Sequence, residues 1–358
     1  MHLEVGKCTL NGRREYTFKI DLGWRYMRLS DRLNALSVNL NDIKLAEARI
    51  RSTLPMTSMK RVQGRKNDQW LKCEFENPTQ SFKVRGALNA VLQLDSDQRS
   101  RGVLARSSGN FAQAIAYCGQ LVGIKITVVM PETAPVTKLN ATLGWGATVE
   151  QFGKIPREGD QRAREIQAEH GQTLISSFDD LWVIAGQGTI GLELASQLDG
   201  IRTVYCPVGG GGLLSGIAVA LKSLRPEIQV VAVEPENAND FFQSWTQQQW
   251  VEIPFPHSIA DGLKVSKVGA HNWAILQHLV DRVITVSDDD IRWAVADLWN
   301  TQSVRVEPSG AVSYAGMCND GEMTGPQVCI LSGGNVDQSV FEDCLLAYPK
   351  LNLERNPS

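Results

Sequence analysis

Between residues 102 and 234 the chain alternates short apolar runs with helix-patterned stretches, each pair separated by glycine, proline or a Ser/Asx cap. This rhythm restricts the fold more than any other feature. Antiparallel strands can be joined by a two-residue turn, whereas parallel strands need a crossover that carries the chain back to the same end. The alternation therefore predicts an α/β chain with parallel sheets covered by helices. Residues 102–106 read as a strand, 107–110 as a turn and 111–121 as a helix ending before Gly123. Residues 124–130, 135–143, 148–152, 161–170 and 174–175 continue as strand, helix, strand, helix and short strand, which makes this block a compact unit of its own.

A second sheet is expected beyond residue 185. A glycine-punctuated helix over 186–198 leads to a strand over 203–208, the run Gly209-Gly210-Gly211-Gly212, a helix over 213–224 and a strand over 229–234. Further strands are expected over 282–286 and 328–331, and an earlier helix over 39–51 carries Leu40, Ile43, Leu45 and Ala46. At 358 residues, 43% hydrophobic and 21% charged, the chain can bury two moderate cores. The expected division is a larger cofactor-binding domain, 1–101 with 179–358, and a smaller substrate-binding domain, 102–178.

Three stretches carry chemistry. Four consecutive glycines between a strand and a helix expose backbone N–H groups at the positive end of the helix dipole, a cradle for a phosphate; the plainer alternative is a tight turn. A dinucleotide fingerprint is not met: the frame from Gly209 and Gly211 ends on Leu214, and that from Gly210 and Gly212 on Ser215. No Gly-x-x-x-x-Gly-Lys-Ser/Thr occurs, so a monophosphate fits better than a triphosphate. The turn Ser107-Ser108-Gly109-Asn110 offers hydroxyls, a carboxamide and free N–H groups to a carboxylate, or simply caps its helix. Lys83 follows Pro78-Thr79-Gln80-Ser81-Phe82 at the start of a helix whose buried face is Val84, Leu88, Val91 and Leu92. It is either a solvated charge beside Arg85 or a nucleophilic amine whose charged form the dipole and burial both disfavour. Together the three match pyridoxal phosphate carrying an amino acid.

A formal net charge of −3 leaves no electrostatic footprint for nucleic acid or an anionic membrane, so a small-molecule partner is expected. No apolar run is long enough to cross a bilayer and the start, Met1 to Lys7, lacks a signal-peptide core, which predicts a cytoplasmic protein. The seven cysteines are scattered without a Cys-x-x-Cys pair, so neither a disulfide framework nor a zinc cluster is indicated. None of the five histidines lies in a motif that gives it a catalytic role.

The order and wording of Ser81-Phe82-Lys83-Val84-Arg85-Gly86-Ala87, Ser107-Ser108-Gly109-Asn110, Gly209 to Gly212 with Leu213-Leu214-Ser215-Gly216, and Leu331-Ser332-Gly333-Gly334-Asn335 resemble one family. It is the serine racemase and threonine dehydratase branch of fold-type II pyridoxal-phosphate enzymes, and the resemblance spans residues 51–337. It implies a tryptophan synthase β-like architecture: two doubly wound domains with parallel sheets, pyridoxal 5'-phosphate in the cleft between them, and a homodimer. It makes Lys83 the Schiff-base lysine and proton carrier, and Phe82 a wall beside the cofactor ring. Asn110 would bond the phenolic oxygen, Gly209, Gly210, Gly211 and Gly212 with Leu213 would hold the phosphate, and Ser332 would face the pyridine nitrogen. Gly262 and Glu307 are expected near the ring. Ser107, Ser108, Gly109, Asn110 and Phe111 would take the amino-acid substrate, with Ser108 bonding its carboxylate or serving as a second base. Glu234, Ala238 and Asp240 resemble the family's divalent-cation site, suited to Mg²⁺ or Ca²⁺.

A neutral hydroxyl at the ring nitrogen supports a pyridinium less well than a carboxylate, which favours elimination over transamination. The implied activity is removal of water from a β-hydroxy-α-amino acid such as L-threonine or L-serine, giving a 2-oxo acid and ammonia. Alternatives are an amino-acid racemase, a dehydratase for a bulkier β-hydroxy amino acid and, remotely, a non-catalytic binding protein on the same fold. Three positions depart from the pattern: Phe111 stands where most relatives have histidine, Gln80 replaces a glycine, and Leu54 separates Thr53 from Pro55. With 338–358 alone following the last motif, a regulatory domain and feedback by isoleucine are not expected.

Overall fold

The computed structural model describes residues 7–10, 13–16, 28–64, 68–321 and 325–355. The expectation about the start of the chain, Met1 to Lys7, falls outside them in all but its last residue. In chain order the strands are β1 (Lys7–Leu10), β2 (Arg13–Tyr16), β3 (Met59–Arg61), β4 (Gln69–Cys73), β5 (Val103–Arg106), β6 (Ile126–Met130), β7 (Thr148–Gln151), β8 (Thr173–Leu174), β9 (Thr203–Pro207), β10 (Gln229–Pro235), β11 (Arg282–Val286) and β12 (Gln327–Leu331). β1 and β2 pair with each other as an antiparallel hairpin. The larger sheet runs β11-β10-β9-β12-β4-β3, parallel throughout except for β3 at the edge. The smaller runs β7-β6-β5-β8 and is wholly parallel.

Both faces of the larger sheet are covered, and the strand period shows how. Val204, Cys206, Val230, Ala232, Val328 and Ile330 enter one core. Their neighbours Tyr205, Val231, Val233, Cys329 and Leu331 enter another on the opposite face. Successive side chains point to opposite faces, so a strand buried on both sides reads as an unbroken apolar run. The smaller sheet packs Val103, Ala105, Ile126, Val128 and Met130 against Val84, Ala87 and Leu88 of the helix Lys83–Leu92. The lysine-bearing helix is thereby part of the core of the smaller sheet while its first residues are pinned to the larger one.

Two helices begin five residues earlier than expected, each for a local reason. Pro156 occupies the first turn of the helix Pro156–His170, where its fixed φ suits a helix start. Asp180 caps the helix Leu181–Gln197 by accepting the amides of Trp182 at 2.9 Å and Val183 at 3.0 Å. The glycines inside that helix serve close packing: a Cβ on Gly186 would lie 2.6 Å from Gly86 Cα. The sequence reading assigned no helix or strand to residues 288–319, which form the helices Asp288–Gln302 and Pro308–Asn319 over the second face.

Gln80 adopts φ +52°, the left-handed region that glycine occupies freely. Its amide donates to Asn77 O at 2.7 Å and its carbonyl accepts from Gly334 N at 2.8 Å, so the turn is held from both sides. Gln80→Gly removes the strain of a side chain at positive φ and should raise stability by about 0.5–1 kcal/mol, read from the urea midpoint. A loss of stability would show that the side chain does more than tolerate the turn.

Candidate active site

The loops that follow the C-terminal ends of parallel strands converge where a doubly wound sheet takes its ligand. After β4 the chain turns into the lysine run, after β9 into the glycine run, after β12 into the segment from Ser332, and after β5 into the Ser107–Asn110 turn. Ser81 forms an isolated bridge with Gly333, and Phe82 N donates to Ser332 O at 3.1 Å. These contacts fix the lysine run against the end of β12.

Lys83 is the first residue of its helix, and its Nζ donates to the carbonyl of Ser177 at 2.8 Å. The Phe82 ring centroid lies 5.1 Å from that nitrogen and the Phe111 centroid 5.9 Å. Burial pushes the amine down to about 8, and the Glu307 carboxylate opposes the shift in part. Phe111 is 1% exposed and packs in the core of the smaller sheet, behind the lysine. Its ring is one of two aromatic groups beside the buried Lys83 amine.

The glycine run is closed on its Cβ side. A Cβ on Gly210 would sit 2.2 Å from the Phe178 ring, one on Gly212 2.7 Å from Phe178 O, and one on Gly209 3.1 Å from Leu263 Cα. Gly211 has φ +93°, where a larger residue is strained. Asn272 Nδ2 fastens the run by donating to Gly210 O at 2.8 Å and Phe178 O at 2.9 Å. Among the described residues the amides of Gly209 to Gly212 have no protein acceptor, and the run opens the helix Gly212–Leu224, with Leu213 buried in its first turn. A cluster of unpaired N–H groups at a helix start suits a phosphate.

In the turn after β5, Ser107 Oγ accepts from Gly109 N at 3.3 Å. Ser108 is half-buried, and among the described residues no side-chain base hydrogen-bonds to its hydroxyl. Asn110 Nδ2 donates to Glu307 Oε1 at 2.5 Å. Glu307 is buried at the N-terminus of the helix Pro308–Asn319, and burial pushes its carboxyl up to about 7 against the pull of Asn110 and Lys138. Ser332 Oγ donates to Ser309 O at 3.3 Å, and Ser309 Oγ accepts from Gly262 N at 2.9 Å, which sets Gly262 beside Ser309. Across the cleft Lys138 pairs with Asp261 at 2.8 Å and Thr137 Oγ1 donates to Asp337 at 2.8 Å. Thr79 Oγ1 and Ser81 Oγ, flanking the lysine run, are buried without a hydrogen-bond partner.

Glu234 near the end of β10, and Ala238 and Asp240 just beyond it, are fully buried. Glu234 accepts the amides of Phe241 at 3.1 Å and Phe242 at 2.6 Å, at the start of the helix Asp240–Gln247. Among the described residues neither oxygen of Asp240 makes a hydrogen bond of good geometry, although backbone amides including that of Val268 lie close enough to pull its carboxyl down. Burial pushes both carboxyls up, Asp240 to about 7, and for Glu234 the neighbouring Asp240 adds to the effect.

Sequence reasoning missed several groups around this site. Ser177, Phe178 and Asn272 lie in no motif, and only the fold brings them to the lysine and the glycines. Arg85, which the sequence reading gave no role, is 1% exposed. Its guanidinium bonds Glu74 at 2.7 Å and Glu193 at 2.7 Å, and Lys72 Nζ meets Glu193 at 2.5 Å. Two cations and two anions thus form a buried network directly behind the lysine run.

No helix among the described residues is long and apolar enough to cross a membrane. The chain is 40% identical over 310 residues to an L-threonine dehydratase catabolic TdcB of Staphylococcus aureus, covering 84% of this chain and 90% of that protein. It is 42% identical over 263 residues to the L-threo-3-hydroxyaspartate ammonia-lyase of Saccharomyces cerevisiae, covering 73% of this chain and 81% of the relative. The solved structure of maize serine racemase superposes with a TM-score of 0.83 at 32% identity, covering 89% of this chain and all of that one. The family described as Pyridoxal-phosphate dependent enzyme matches residues 51–333, a span that holds the lysine, the turn, the glycine run and Ser332. The matched span holds both a buried lysine amine pushed down to about 8 and a glycine run whose unpaired amides suit a phosphate, and with that match the chain belongs to the family of pyridoxal-phosphate dependent enzymes.

Proposed function

We propose that this chain is a pyridoxal-phosphate-dependent ammonia-lyase that removes water from a β-hydroxy-α-amino acid of the L-threonine or L-serine class, yielding a 2-oxo acid and ammonia. The observation that carries the reading is Lys83: a buried amine with its pKa near 8, hydrogen-bonded to Ser177 O and flanked by two aromatic rings. When bound, the cofactor supplies an aldehyde for that amine and a ring that draws electrons from the substrate Cα. Lys83 would hold the cofactor through its Nζ and, as a neutral amine, would take the α-proton. The amides of Gly209 to Gly212 and Leu213 bind the phosphate, and Phe82 and Gly262 border the ring. Ser332 offers a neutral hydroxyl to the ring nitrogen, which weakens the electron sink and favours loss of the β-hydroxyl. Ser107, Ser108, Gly109 and Asn110 bind the substrate carboxylate at the start of the helix Asn110–Val122. With no base beside its hydroxyl, Ser108 is assigned to carboxylate binding.

The names of the dehydratase and ammonia-lyase relatives support the same reaction class. The test is a panel of L- and D-β-hydroxy amino acids, including a β-aryl serine, followed for both 2-oxo acid and loss of optical purity. Production of 2-oxo acid from the small L-substrates is expected, since Phe111 is packed away in the core. Enantiomer exchange without oxo acid would replace the lyase by a racemase.

We also assign Glu234, Ala238 O and Asp240 to one Mg²⁺ or Ca²⁺. Support comes from the buried Asp240 carboxylate, which makes no hydrogen bond of good geometry and which a hard cation with retained waters would satisfy. Saturating Mg²⁺ or Ca²⁺, at about a hundred times Kd, should stabilise the protein by about 2.7 kcal/mol, and Asp240→Asn should abolish the effect. An equal thermal shift in both proteins would remove the assignment.

A further inference from the structure

The cleft contains a hydrogen-bonded chain drawn from four separate segments. Asn335 Nδ2 donates to Thr79 O at 2.9 Å and to Asn110 Oδ1 at 2.9 Å, while Asn110 Nδ2 donates to Glu307 Oε1 at 2.5 Å. Glu307 N in turn donates to Gly333 O at 3.1 Å. Gly333 is needed for this arrangement, because a Cβ there would come within 2.2 Å of Glu307 Oε1 and 3.0 Å of Asn110 Nδ2. The carboxamide of Asn110 is thus gripped at both ends. Its oxygen takes a donor and one N–H takes an acceptor, so nitrogen and oxygen cannot exchange places and a second N–H is left over.

We infer that Asn335 and Glu307 are positioning residues: they fix the Asn110 carboxamide so that its remaining N–H serves the cofactor's phenolic oxygen, and they pin the substrate-binding turn to the larger sheet. The inference rests on the reading of Asn110 as a cofactor contact. Without Asn335 the amide can rotate, and its donor is no longer pre-set when the cofactor arrives. Without the Glu307 charge the tie persists as a neutral hydrogen bond, roughly half as strong as a charge-assisted one.

The charge on Glu307 is set by groups from every side. Burial pushes its carboxyl up to about 7, and Asp261 pushes in the same direction. The Asn110 hydrogen bond, Lys138 and Lys83 pull it down. The carboxylate is therefore present above neutrality and lost as pH falls below it, and the chain to Asn110 weakens in that direction.

The test uses holoenzyme loaded with pyridoxal phosphate, comparing wild type, Glu307→Gln and Asn335→Ala by cofactor affinity and by visible absorbance from pH 5.5 to 9. Wild type should show a spectral transition near neutrality that disappears in Glu307→Gln, while the glutamine keeps an acceptor for Asn110 and leaves affinity nearly unchanged. Asn335→Ala should weaken cofactor affinity about tenfold, the loss expected for one hydrogen bond in a buried site. If both variants match wild type in spectrum, pH response and affinity, the inference is overturned. If Asn335→Ala does not fold, the Glu307→Gln titration decides alone, an unaltered transition overturning the inference. A Lys83→Ala arm separates this from the functional reading: only if that variant also keeps the wild-type spectrum does the reading itself fall.

Discussion

Lys83→Ala should lower kcat/KM by on the order of 10⁴-fold, at the upper end of what one proton-transferring group contributes, and more if covalent attachment is also lost. The variant should still bind pyridoxal phosphate through the glycine run, without the visible absorbance of the covalently held cofactor. The same lysine sets a pH dependence that can be measured without substrate. Its neutral fraction rises as pH increases through about 8, so capture of the cofactor by the apo-protein should accelerate about tenfold from pH 6.5 to 7.5 and level off above 8. An ordinary lysine amine, near 10.4, would be roughly two orders of magnitude less available at neutral pH. Residual turnover above about 1% in Lys83→Ala, or capture still rising steeply past pH 9, would count against the assignment.

Glu193→Gln should produce the largest loss of stability. It removes one anion from a network in which Lys72, Glu74, Arg85 and Glu193 are each no more than 2% exposed. Removing one member leaves an uncompensated buried charge, which costs about 3–5 kcal/mol. The double variant Lys72→Met/Glu193→Gln restores neutrality around Arg85 and Glu74 and should recover most of that loss. Urea denaturation reads both, and a single-variant loss below about 1 kcal/mol would mean that water relieves the charge. Because Arg85 lies two residues beyond Lys83, Glu193→Gln should also broaden the absorbance of the bound cofactor.

Much of the fold was legible because parallel α/β chains write their topology into local pattern. Buried strands such as β9, β10 and β12 read as apolar runs because each residue has a core on one face or the other. Crossover helices are bounded by caps and glycines that act within a few residues. Elements whose pattern is not amphipathic were harder to read. The helix Pro308–Asn319 is buried over most of its length, so it presents no polar stripe. Arg85 shows the limit for single residues: a charged side chain beside a catalytic candidate reads as solvent-exposed until its partners, Glu74 and Glu193, arrive from other segments.

Taken alone, the sequence determined the parallel α/β architecture, the family resemblance and the identity of the chemical groups, because motif spacing and capping are local properties of the chain. The tertiary structure decided the state and surroundings of those groups. It placed Phe111 in the core behind Lys83, brought Ser177 to the amine, gripped Asn110 between Asn335 and Glu307, and left Asp240 buried without a hydrogen bond of good geometry. Each depends on burial and on contacts between residues far apart in the chain, and desolvation and charge act through space along paths that no local spacing encodes.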